Sequence, residues 1–286
     1  MKKFFSILGI SLFAFILAVF SLSNQPNVQE SITFFPIDPN VKFKAIDTSL
    51  NLNHGSTVVW RIKSTLDRKA YLRQDAGFLY ANGKLMGELH GWKQNTESLL
   101  QEKQIKTENS THFEAITFHH AELHQNGQIF SSQAMSPAQL YVIISSNQAP
   151  FSFRFPKTKE QSDWKQKLDE QTERMLNFSW NKGLRHFSID LSKYQKYPLY
   201  LFDSQTKIGF PGFTKGETDR IVGNLWEGLY KNYLLGIKKA DGTTVSPIGS
   251  TMPLILLAND KTHLLVLTET ANGEPILLRQ MIEGID

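Results

Sequence analysis

The sequence predicts an exported α+β fold: an N-terminal transmembrane helix or signal peptide, then antiparallel β-hairpins with two amphipathic helices packed on the sheet. Three observations lead there. Residues Phe4 to Leu22 form an uncharged apolar run directly after Lys2 and Lys3. From about Val41 short apolar alternations are punctuated by Asn-Gly and Asp-Gly pairs, the signature of hairpins. Two later segments, each opened by a threonine three residues before Gln or Glu, carry apolar residues at helical spacing.

The nineteen residues from Phe4 to Leu22 would make a helix of roughly 28 Å, close to the hydrocarbon thickness of a bilayer. That length favours a retained anchor, whereas Ser21, Leu22 and Ser23 offer a mediocre cleavage site and favour a signal peptide. In either case Lys2 and Lys3 keep the basic end cytoplasmic and the remainder faces outward. The expected localisation is the cell membrane, single-pass with the C-terminal part outside, or alternatively secretion. Residues 24–40, with Pro26, Pro36 and Pro39, read as an extended linker. A β-rich region over 41–156 and an α+β region over 157–286 follow, either as two units or as one domain.

The chain has no cysteine, which removes disulfides, thiolate metal sites, a cysteine nucleophile and a lipidated cysteine as a tether. A cysteine-free exported chain points to a bacterium. The net charge of +4 includes Lys2 and Lys3, so only +2 remains on residues 24–286. The lysines are interleaved with acids, as in Lys157, Lys159, Lys165 and Lys167 with Glu160, Asp163, Asp169 and Glu170. No nucleic-acid partner is expected from so neutral and mixed a surface.

Each turn pair predicts a hairpin: Asn82-Gly83, Asn126-Gly127, Asn272-Gly273 and Asp241-Gly242. At the first, Tyr80 should oppose Leu85 and Leu79 should oppose Met86. A fifth hairpin joins PLILLA to HLLVLT across Asn259 to Thr262, and Pro275, lacking a donor N–H, belongs on an edge strand or at an outward-facing position. The first helix should start at Thr158 with Gln161 and run to about Phe178, burying Trp164, Leu168 and Met175. The second should follow Thr214 and Glu217 with a stripe of Ile221, Val222, Leu225, Trp226, Leu229 and Tyr230.

Four groups of residues could carry chemistry. His112, Glu114, His119, His120, Glu122 and His124 have the side chains of a zinc site. The Asn126-Gly127 register, however, sets His124 against Ile129, Glu122 against Ser131 and His120 against Gln133, which reads as a polar sheet surface. The run Gly209 to Glu217, with Lys215, resembles a phosphate loop but lacks its lysine order and is explained by a turn and capping box. Asp190, Asp203 and Asp260 end apolar runs, where a carboxylate pair could hydrolyse a glycan and where aspartate also starts ordinary turns. Trp60, Tyr71, Tyr80, Trp92, Tyr194, Tyr197 and Tyr200 could stack on sugars or fill a core. No metal or cofactor is expected, and no catalytic residue can be assigned. The leading expectation is a membrane-tethered extracytoplasmic protein of the bacterial cell envelope, a non-catalytic binding or accessory/regulatory module of unknown ligand whose candidate partners are another envelope protein or a glycan. The alternative is a tethered or secreted hydrolase of wall polymer acting through strand-end aspartates.

Overall fold

The computed structural model describes residues 35–53, 55–239 and 242–282. The expected leader over 1–23 and the linker as far as residue 34 lie outside these residues. Among the described residues no helix is long and apolar enough to cross a membrane.

The expected α+β class is corrected by the structure: 52% of the chain is strand, and its dominant feature is a nearly closed, barrel-like antiparallel sheet. That sheet comprises β1 (Phe43–Leu52), β2 (Thr57–Ala81), β3 (Lys84–Lys106), β4 (Thr111–Gln125), β5 (Gln128–Ser145) and β6 (Gln148–Phe153). The physical reason is strand length. The polar run from Glu88 to Lys106, which has little apolar alternation, is held throughout as the outer strand β3 by pairing with β2.

β2 organises the barrel. It pairs with β3 along both its halves, while β1 pairs with residues 58–66 and β4 with residues 72–81. A break in pairing between Thr65 and Ala70 bends the strand, so β1 and the first half of β2 fold over β4 and β5. Gly77 is needed at this closure, because a Cβ there would collide with Ile62 Cδ1 and stand 2.9 Å from Trp60 Cζ2.

The turn expectations are largely met. Asn82 and Gly83 both have positive φ (48° and 78°), as do Asn126 and Gly127 (50° and 76°), and both join two-residue hairpins. Tyr80 opposes Leu85, but an irregularity after Leu79 sets Leu79 against Gly87 rather than Met86. All three pairs expected around His124 form. The Asn272-Gly273 turn is a five-residue connection, with Gly273 at φ 80° and Thr270 N–H donating to Glu274 O. Gly242 follows the short β8 (Ile237–Lys238) and precedes β9 (Thr244–Val245), while Asp241 lies outside the described residues.

A second sheet has the order β12 (Pro275–Met281), β11 (His263–Glu269), β10 (Leu254–Ala258) and β7 (Tyr194–Pro198). Pro275 opens an edge strand, and the β10–β11 hairpin pairs Leu257 with Leu264. Helix α1 (Lys159–His186) runs eight residues beyond the expected end at Phe178; Thr158 Oγ1 accepts from Gln161 N at its start. A short α2 (Phe202–Ile208) precedes α3 (Lys215–Leu234), where Thr214 and Glu217 complete a capping box. The helices and second sheet cover the outer face of β2, β4 and β5. Phe78, Phe118, Leu176, Trp180, Leu225, Trp226, Leu256 and Val266 belong to one core there, which draws on both sequence regions.

Candidate functional site

Alternation along β4 sends Phe113, Ala115, Thr117, His119, Ala121 and Leu123 into the barrel and their neighbours outward. Midway, the lining turns polar. Ser64 donates to Asp75 Oδ2; His119 Nδ1 stands 3.4 Å from the same oxygen and Nε2 2.7 Å from Ser136 Oγ. Thr48 Oγ1 lies 2.6 Å from Ser136 Oγ and donates to Thr117 Oγ1 at 2.7 Å. This belt sits between two apolar clusters, one around Leu50, Trp60 and Ile62 and one around Val41, Leu66 and Leu123.

The order Ser136, His119, Asp75 is that of an activated serine nucleophile. Its setting is not. Ser64, Asp75, Thr117 and His119 have no exposed surface and Ser136 keeps 8% of its own, so the barrel wall leaves little room for a substrate carbonyl at Ser136. The belt instead acts as an internal frame of hydrogen-bonded and ion-paired polar groups, which fixes strand register in a low-dielectric interior.

A second cluster lies on the outer face beneath α1. The His112 ring stacks on Tyr141 with centroids 4.2 Å apart, and Tyr141 donates to Asp169 Oδ1 at 2.7 Å. His112 Nδ1 is 3.6 Å from that oxygen, and Lys165 pairs with Asp169 one helical turn away. Burial, reinforced by the negative charge of Asp169, pushes the Glu114 carboxyl up to about 7. Burial lowers His112 to about 4 against the opposing pull of Asp169, and it raises Tyr141 above its ordinary range, with the hydrogen bond to Asp169 adding to the shift. Perturbed groups gathered in this way mark a functional candidate. Asp169 also lines an open groove of about 320 Å³ with Pro156, Ser162, Lys165, Gln166, Glu170 and Glu173. A second hollow, along the first turns of the helix, is lined by Lys159, Glu160, Asp163, Trp164 and Lys167. Asp169 thus joins the surface groove to the buried cluster.

The other candidates disperse. His120, Glu122 and His124 face outward as a polar strip; His124 pairs with Glu122 and stacks on Tyr71 at 3.9 Å. His112 and His119 are buried on opposite faces of the sheet, which separates the six residues of the zinc-like segment. Among the described residues no group of three carboxylates and imidazoles is placed to hold a metal. Lys215 pairs with Asp219 at the capping box. Asp190 caps Ser192, Asp260 caps Thr262, and Asp203 pairs with Lys207 at 2.7 Å. Trp60 and Tyr80 are core residues, whereas Tyr71 (46% exposed) and Trp92 (61%) stand in solvent. Tyr194, Tyr197 and Tyr200 pack against the outer core, Tyr194 with its hydroxyl 3.1 Å from His263 Nε2.

Sequence reasoning missed the Asp75–His119–Ser136 frame, because Asp75 and Ser136 sit in no motif. The available signal was parity: His119 shares the face of Phe113, Ala115 and Leu123, not that of His120. Comparison with known proteins adds no identification. No protein-family model and no curated protein matches the chain. A solved structure, the solution structure of AT1g01470 from Arabidopsis thaliana, is 8% identical over 42% of this chain and 92% of its own, with a TM-score of 0.24. At that score the likeness supports no conclusion about fold or function.

Proposed function

We propose that this chain is a membrane-tethered, extracytoplasmic binding or accessory module of a bacterial cell envelope, acting without catalysis. The uncharged Phe4 to Leu22 segment behind Lys2 and Lys3 supports the location. The observation that carries the binding role is the polar groove on α1, where Asp169 backs onto the stacked Tyr141 and His112. The groove is lined by charges of both signs and suits a partner with a matching polar surface. Wall-polymer hydrolysis draws no support from Asp190 and Asp260, each of which serves its own exposed turn.

In-cell photo-cross-linking of the full chain tests the reading. A probe at Gln166 should capture one defined partner that a probe at Lys63, on the far wall, does not. Asp169→Asn should weaken that capture severalfold. Identical capture at both positions, or none, overturns the α1 groove as the binding surface.

A further inference from the structure

We infer that one end of the barrel is a membrane-facing surface that rests on anionic phospholipid headgroups. The chain enters the barrel at this end. Phe35 O accepts from Ser131 Oγ, Pro36 O accepts from Ser131 N at 2.7 Å, and Asp38 N donates to Ser131 O at 2.9 Å. Only twelve residues, Ser23 to Phe34, separate the apolar segment from this docked stretch. Even fully extended they reach roughly 40 Å, barely more than the roughly 36 Å from Glu122, which stands opposite Ser131, to the far end of β4 at Thr111, so only a fully stretched tether lets the opposite end touch the bilayer. The tether therefore keeps this end nearer the bilayer than the opposite one, which carries the Asn82-Gly83 turn packed against Met175 and Leu176 of α1.

The chemistry of this end suits such a neighbour. Around the bend of β2 and the start of β1 are the exposed Lys42, Lys44, Arg68 and Lys69. Of the acids near them Asp67 pairs with Arg68, Glu122 with His124, and Asp38 accepts from the Gln125 amide at 3.2 Å, while Glu97 on β3 is exposed at the same bend. Lys42, Lys44 and Lys69 are the cations offered to a headgroup. Exposed Tyr71 and Ile129 stand among the cations, with Trp92 and Lys93 on the flank. Lysine and arginine beside interfacial aromatic residues are the features that hold a surface at an anionic bilayer.

This inference rests on the tethered reading, and the experiment separates the two. The full chain is placed in nanodiscs of phosphatidylglycerol or of phosphatidylcholine, and amide exchange is measured at residues 68–71 and 126–130. Exchange there should be at least fivefold slower on phosphatidylglycerol, with residues 82–83 and 107–110 unchanged. Lys42→Glu combined with Arg68→Glu and Lys69→Glu should abolish the difference. High salt on the unaltered chain should do the same, which covers a variant that folds poorly. Equal exchange on both lipids, or protection at the opposite end, overturns the membrane face while the tether stands. Recovery of the native chain beginning at Asn24 overturns the tether itself. The face is then read from binding of that mature chain to phosphatidylglycerol vesicles, and absence of salt-sensitive binding overturns it.

Discussion

The inside of the barrel and the core on its outer side are built from the two faces of the same strands, yet they pack by opposite means. Inside, the opposing wall is another stretch of strand, fixed by hydrogen bonds, and the lining residues at the closest approach are Gly77, Thr117, Ser64 and Thr48. Outside, the opposing layer is made of helices and the second sheet, and the filling is large, with aromatic rings from the helices at its centre. Phe78 and Phe118 each stack on Trp226 at 5.4 Å, and Trp180 Nε1 donates to Met252 O at 2.9 Å. A wall of paired strands dictates the space and the side chains must fit it, whereas a helix settles at the distance its side chains set. The interior should therefore resist enlargement and the outer core should resist truncation.

The largest effect should come from Trp226→Ala, which empties the centre of the outer core. Truncations of this kind cost about 3–5 kcal/mol, readable from urea unfolding, and a loss below about 1 kcal/mol would break the contrast. Gly77→Ala should cost about 1–3 kcal/mol by overpacking, although it adds a single methyl group. Were it neutral, the close approach of Ile62 and Trp60 would not be rigid. Ser136→Ala removes a partner from His119 and Thr48 and should cost about 1–3 kcal/mol, whereas a solvent-facing serine such as Ser98 should tolerate the same change.

A pH experiment sharpens the comparison on the outer face. Glu114 titrates near 7 in the fold against 4.5 for the free side chain, so the folded state holds its proton longer. Its stabilising contribution is full below about pH 4.5 and is lost as pH rises through about 7. His112 is depressed to about 4 from 6.5, so its contribution is full above about pH 6.5 and is lost as pH falls through about 4. The two slopes oppose each other between about pH 4.5 and 6.5. Relative to the unaltered chain, Glu114→Gln should lower the melting temperature on acidification across that window, and His112→Gln should raise it. The same response in both variants would show that the two groups do not titrate with the fold. The smallest effect should be that of Thr214→Ala, which removes the cap of α3 at about 1 kcal/mol.

Local signals in the sequence reported local geometry well. Asn126-Gly127 fixed three cross-strand pairs in advance, and the threonines at 158 and 214 marked both long helices. The fold class was misjudged because the length of a strand depends on its partner. Residues 88–106 have neither clean alternation nor a turn signal, and apart from Asn95, at φ 50°, they remain extended because β2 supplies a ladder for them. The polar frame was hidden for a related reason. Asp75, His119 and Ser136 meet only after β2 bends and the barrel closes, and no spacing along the chain reports that meeting. The groove on α1 was partly legible as a mixed-charge helix, but the role of Asp169 depends on Tyr141 and His112, which arrive from two other strands.

β2 also bears on how the molecule assembles. Its pairing with β3 runs outward from a two-residue turn, so this hairpin needs no long loop closure and is the part able to form first. β1 and β4 then share the remaining edge of β2, one on each side of the bend, and neither can take the other's place without leaving half that edge unpaired. The second half of the molecule supplies the helices that cover the result. A chain synthesised from its N-terminus would therefore hold its template strands before their cover exists, and the charged sequence of β3, from Lys93 to Lys106, keeps that waiting edge soluble.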